Sequence, residues 1–166
     1  VSSTTVPKNP YQRVNDNPAK DVFVVYDANG GKAVKVGYQD PLTGENLQAN
    51  IPYDSRGLPI FDDISKYTTT IKKPDNYELM DSDARRKAEM VQATIDLKDG
   101  INSGKIDPSN FTKRQLDDIQ NEKAKVTGYT WHHNAQSSPN NFQLMPTKVH
   151  DETKHVGEAS MSEGKQ

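Results

Sequence analysis

Four histidines occur in the 166-residue chain, and all fall in one late stretch: His132, His133, His150 and His155. Imidazole titrates near neutral pH and is the commonest metal-ligating side chain, so the cluster points either to proton transfer or to a metal site. Spacing separates the roles. His132 and His133 are adjacent in a β-prone run and therefore point to opposite faces of a strand, so that one can ligate an ion while the other faces a substrate. His150 and His155 are five positions apart, about 140° round an ideal helix. They can share an ion only if the helix ends or tightens before His155, and Gly157 supplies such an ending. A metal site built from these residues needs one strand and one helix brought together. The chain has no cysteine, which removes thiolate ligands and disulfides.

The order of residues around these histidines carries a resemblance. Trp131-His132-His133, then Asn141-Phe-Gln-Leu-Met-Pro-Thr-Lys-Val-His150, then His155-Val-Gly157 resembles the WHH branch of the HNH/endonuclease VII-type nucleases, which are ββα-metal enzymes. The resemblance runs from Trp131 to Gly157. It implies that His132, His150 and His155 hold one divalent metal ion, that His133 is the general base that activates water, and that Asn141 orients this base through its backbone. Three imidazoles suit Zn, Ni, Co or Mn better than Mg, which prefers oxygen ligands. The chain departs from the pattern at two points. Four residues separate His150 from His155 where many members have three, and Glu158 follows Gly157 where a second glycine is typical. Upstream, Gly57-Leu-Pro-Ile-Phe-Asp62 with Tyr67 is similar to the segment that precedes many bacterial polymorphic-toxin nuclease domains. Together these imply a C-terminal toxin module of a secreted or contact-dependent effector, acting on DNA in the target-cell cytoplasm and paired with a cognate immunity protein.

The elements that must position these residues follow from patterning. The end of the chain predicts strand 127–133, a polar loop 134–140, strand 141–145, and a helix from Pro146 to about His155, with proline at the first helical position where its missing N–H costs nothing. Trp131 is expected as an apolar anchor beneath the site, and Gln143 as facing either DNA or solvent. Lys148 and Lys154 on the last helix are candidates for phosphate contact. Arg85 and Arg86, beside Lys87, form a basic run on an earlier helix that reads either as a solvated face or as a phosphate-contact patch.

Earlier in the chain, residues 1–20 read as an irregular segment. Residues 22–26 and 33–38 form a hairpin across the Asn-Gly turn in 27–31, and residues 48–53 a third strand. Leu58, Ile60 and Phe61 anchor a turn-rich connector. Residues 81–103 predict a helix with an apolar stripe at Ala84, Ala88, Val91 and Ile95, capped at Asp81, Ser82 or Asp83 and ended by Asn102, Ser103 and Gly104. A second helix runs from Lys113 to about Lys125, with Thr112 and Gln115 at capping-box spacing and Phe111 stapled to Leu116. The fold class is α+β: a β-rich segment over 1–75, then helices and a ββα-metal finger over 76–166.

Composition bounds the rest. The net charge of −2 is near neutral, so nucleic-acid binding must come from a local patch or from a metal ion rather than from a basic chain. No apolar run approaches the roughly 18 residues of a membrane span. The opening Val1-Ser-Ser-Thr-Thr-Val6 shows neither an initiating Met nor a basic-then-apolar signal pattern, and reads as a piece of a longer polypeptide. Two other functions fit the same residues: an RNase using the same finger, and a non-catalytic binding module stabilised by metal.

Overall fold

The computed structural model describes residues 21–26, 30–134, 136–137 and 140–153. The expectations for 1–20, for the tip of the first turn at 27–29, and for Lys154, His155 and Gly157 lie outside the described residues. Those residues form an α+β fold of six strands in two sheets, with three α-helices. The described chain divides into two compact units, one containing Glu45–Ile60 with the strands before Asp40 and residues Lys148–Thr153, the other Asp40–Gly44 and the described residues of Phe61–Thr147.

In the first unit, β1 (Val22–Tyr26), β2 (Lys32–Gln39) and β3 (Asn46–Pro52) pair antiparallel in chain order. The register places Val22, Val36 and Ala49 in one cross-strand row and Val24, Val34 and Ile51 in the next. Residues two apart share a face, so all six side chains lie on one side of the sheet, and all are buried. Each Val or Ile so covered contributes about 1.5–3 kcal/mol. The connector closes as a tight turn: Tyr53 bridges Pro59, and the Asp54 carboxylate accepts from the backbone N–H groups of Arg56 and Leu58 at 2.8 and 3.0 Å.

In the second unit, β4 (Tyr67–Thr70), β5 (Tyr129–His133) and β6 (Asn141–Pro146) form an antiparallel sheet in the order β4-β6-β5. Two helices, α1 (Ser82–Asn102) and α2 (Lys113–Gln120), complete this unit. Tyr129, Trp131, Phe142 and Leu144 come from one face of the sheet and join Ala93, Leu97, Ile119, Phe111, Val126 and Ile71 in one core.

The buried stripe of α1 differs from the expected one. Ala84 is exposed, and Ala93, Thr94 and Leu97 are the buried positions, with Met90 and Ile101 packed against the same core. The period of four and three is right, but its phase is shifted because Thr94, polar by type, sits at its centre. Trp131 Nε1 donates to Thr94 Oγ1 at 3.0 Å, and this hydroxyl donates to the Lys123 carbonyl at 2.7 Å. A buried hydroxyl with both needs met carries little desolvation cost. The caps follow expectation: Asp81 accepts from Ala84 N–H at 2.8 Å, and Thr112 and Gln115 form the reciprocal capping box of α2. That helix ends at Gln120 rather than near Lys125. Glu122 takes a positive φ of 56°, and Asp118 draws the chain back by accepting from Thr127 N–H at 2.8 Å and from the Thr127 hydroxyl. Gly128, at φ 82°, then turns the chain into β5.

Pro146 closes β6 opposite Tyr129, and the helix, α3 (147–153 as described), begins one residue later than expected. A missing N–H is as harmless at a strand's last position as at a helix's first. Thr147 is tied to the base of the hairpin: its N–H donates to the Gly128 carbonyl at 3.0 Å, and its hydroxyl pairs with that of Thr130 at 2.8 Å.

Candidate active site

The β5–β6 hairpin carries the candidate chemistry, and its register sorts the residues. His132 pairs with Gln143, and His133 with Phe142. His133 therefore shares the face of Trp131 and Tyr129, while His132 lies on the other with Gln143 and Asn141. The opposite pointing expected of the adjacent histidines is observed. His133 stands at the exposed end of the strand with its ring leaning on Phe142, centroids 5.2 Å apart. His132 is partly buried and forms a T-shaped pair with Phe61, ring centroids 4.6 Å apart and planes at 84°.

Asn141 is the first residue of β6, and its side chain laces three segments. Its Oδ1 accepts from Asn134 Nδ2 at 2.9 Å, and its Nδ2 donates to Thr70 Oγ1 at 3.1 Å. Its backbone carbonyl accepts from Asn134 N–H at 2.9 Å. Asn134 follows His133 directly, and its own amide Oδ1 accepts from Gln136 N–H at 3.0 Å. Asn141 thus acts on the backbone next to His133, without a contact to its ring in these bonds.

Gln143 faces neither DNA nor solvent: it is buried at 2% exposure in the middle of β6. Its Nε2 donates to Asp62 Oδ1 at 2.9 Å, and its Oε1 is buried and meets no hydrogen-bond donor among the described residues. β4, Phe61 and Asp62 were absent from the sequence-based site, and Gln143 was read there only as facing DNA or solvent. The run Tyr67-Thr-Thr-Thr70 does hold a signal, since aromatic and β-branched residues favour strands.

His150 lies on α3, partly buried, with Nδ1 3.5 Å from Asp151 Oδ1. Its carbonyl and that of Val149 accept from the buried Thr153 hydroxyl at 3.1 and 2.7 Å, and Tyr53 donates to the Thr153 carbonyl at 3.5 Å. Lys148 is exposed on the same helix. Lys154 and His155 lie outside the described residues. Among the described residues no three His, Asp or Glu side chains gather into a metal-holding group; the expected set of three includes His155. Of that set, His132 and His150 carry imidazole nitrogens, a donor type that divalent transition-metal ions accept.

The two arginines of the basic run differ. Arg85 is committed to the turn before α1, donating to the carbonyls of Tyr77 and Glu78 at 2.9 and 3.2 Å and covering the Tyr77 ring at 4.8 Å. Arg86 is exposed. No helix among the described residues is long and apolar enough to cross a membrane.

A family model described as the DNase/tRNase domain of colicin-like bacteriocin matches residues 51–157, a span that includes α1, α2 and the whole β5–β6 hairpin. No curated protein and no solved structure matches the chain significantly.

Proposed function

Since the chain belongs to the DNase/tRNase domain family of colicin-like bacteriocins and is a nuclease toxin domain, we propose that it is a metal-dependent endonuclease of the HNH type that hydrolyses DNA phosphodiester bonds. The reading is carried by the hairpin: two adjacent histidines on opposite faces of β5, with Asn141 gripping the residue that follows the second. His132, His150 and His155 are the proposed ligands of one divalent ion. When bound, that ion supplies positive charge to the scissile phosphate and the leaving 3′-oxygen.

The chain's own residues supply the rest. Phosphodiester hydrolysis needs a base for the attacking water, and a neutral imidazole fits that task near pH 7. His133 is exposed at the strand end, where water and phosphate reach it, and its lean on Phe142 limits the ring's freedom. Asn141 is a positioning residue: it fixes the backbone on the C-terminal side of His133. Trp131, buried beneath the hairpin at 2% exposure, keeps β5 seated on the core. Lys148 is proposed to meet the DNA backbone as a phosphate contact, with Arg86 and Lys154 as further candidates.

The family's description spans DNase and tRNase activity, so RNA is the competing substrate. The proposed setting is a larger secreted or surface-delivered effector acting in the target-cell cytoplasm, neutralised in its producer by a cognate immunity protein. Supercoiled plasmid and tRNA are incubated separately with the protein, with and without EDTA. Nicking of plasmid that EDTA stops, with tRNA left intact, is the expected result. Cleavage of tRNA alone overturns the DNA assignment, and a folded protein inactive on both with every divalent ion leaves only a binding module.

A further inference from the structure

Gln143 is an unusual residue for its place. Its neighbour on the same face, Met145, is fully buried, and alternation along β6 calls for an apolar side chain there too. A buried amide with one end unsatisfied carries a desolvation cost that an apolar group of the same shape does not. Methionine would fill the same volume without that cost.

The orientation of the amide is fixed by chemistry. The Asp62 carboxylate only accepts hydrogen bonds, so the NH2 end of Gln143 must face it, and the oxygen must point the other way. That oxygen is buried, with no donor to meet it among the described residues. Gln143 stands directly opposite His132 in the β5–β6 register, on the same face. Consecutive residues of one segment brace both: Phe61 packs its ring against His132, and Asp62 holds Gln143.

We propose that Gln143 supplies a neutral amide oxygen to the divalent ion ligated by His132. The inference rests on the metal-dependent reading above and adds a ligand from β6 to the imidazole set. An oxygen donor among imidazoles favours harder ions such as Mn2+ relative to a site of imidazoles alone.

The test is calorimetric titration of Zn2+ and of Mn2+ into the metal-free full chain, with thermal midpoints measured before and after loading. Gln143→Met is expected to weaken binding by about tenfold or more, as loss of a supporting group at a metal site does, with the larger loss for Mn2+. The metal-free midpoint is expected to stay or rise, because an unsatisfied oxygen is removed. Gln143→Glu keeps an oxygen in nearly the same shape. It is expected to retain binding and to show a larger metal-induced rise in midpoint, since the ion relieves its repulsion with Asp62. Unchanged affinity in Gln143→Met, where His132→Ala abolishes binding, overturns this inference and leaves the nuclease reading standing. A lowered metal-free midpoint with unchanged affinity means a structural role only, and also overturns it. Unchanged binding in His132→Ala overturns both readings. If Gln143→Met does not fold, a folded Gln143→Glu protein that binds both ions more than tenfold weaker overturns the inference by itself.

Discussion

Asn134 and Asn141 are joined twice: the Asn134 side-chain amide donates to Asn141 Oδ1, and the Asn134 backbone N–H donates to the Asn141 carbonyl, both at 2.9 Å. The pair closes the mouth of the loop between β5 and β6, one residue beyond His133. A third bond, from Asn141 Nδ2 to Thr70, fastens the same point to β4. The residue that follows the candidate base is therefore held through both the side chain and the backbone of Asn141.

Asn141→Ala removes both side-chain bonds and keeps the backbone one. At about 1 kcal/mol for each bond, the stability loss is about 2 kcal/mol, read as a lower denaturation midpoint in urea. Plasmid nicking is expected to fall by about tenfold or more because the base is misplaced, with metal affinity unchanged. Nicking at the wild-type rate from a folded variant refutes the positioning role.

His133→Ala removes the proposed base from an exposed position, so folding is expected to be unaffected. Nicking should drop by about 100- to 10,000-fold, while Zn2+ affinity stays at the wild-type value. A variant that loses metal instead assigns His133 to the ligand set.

Thr94→Val keeps the shape of the residue at the centre of the α1 stripe but strands Trp131 Nε1 and the Lys123 carbonyl. A stability loss of about 1–3 kcal/mol is expected from these buried groups. Activity per folded molecule should be unchanged, because Trp131 serves the core. A thermal midpoint equal to wild type rejects the account.

Gly128→Ala forces a side chain into a φ of 82°, where the new Cβ would meet Pro41 Cβ at 2.8 Å. The positive φ alone costs about 1–2 kcal/mol, and the contact adds to it. The thermal midpoint is expected to fall by several degrees, and an unchanged midpoint disproves the strain.

Asp118 sets an acid limb. Burial pushes its carboxyl up, but hydrogen bonds from the Thr127 side chain and backbone, helped by the Lys123 charge, outweigh this and hold it below its ordinary value of 3.8. The charged form is favoured in the folded chain, so its contribution is present above 3.8 and is lost as pH falls through the lower folded value. Asp118→Asn is expected to be less stable than wild type at pH 7, with the gap narrowing below about pH 4. Parallel stability curves across that range exclude the linkage.

By itself, the sequence determined what local pattern can carry. Alternating Val residues specified β1 and β2, capping residues marked where α1 and α2 begin, and adjacent histidines on a strand had to face opposite ways. The spacing of His132, His133, Asn141 and His150 was enough to point to a hairpin followed by a helix, because each of those relations is settled within a few residues. Only the tertiary structure decided which side of α1 is buried, since Thr94 reads as polar until Trp131 and Lys123 come to meet it. It also decided that β4 pairs with β6, and that Phe61 and Asp62 brace His132 and Gln143. These contacts join positions about 70 to 80 residues apart in the chain, and no local period records a partner that far away.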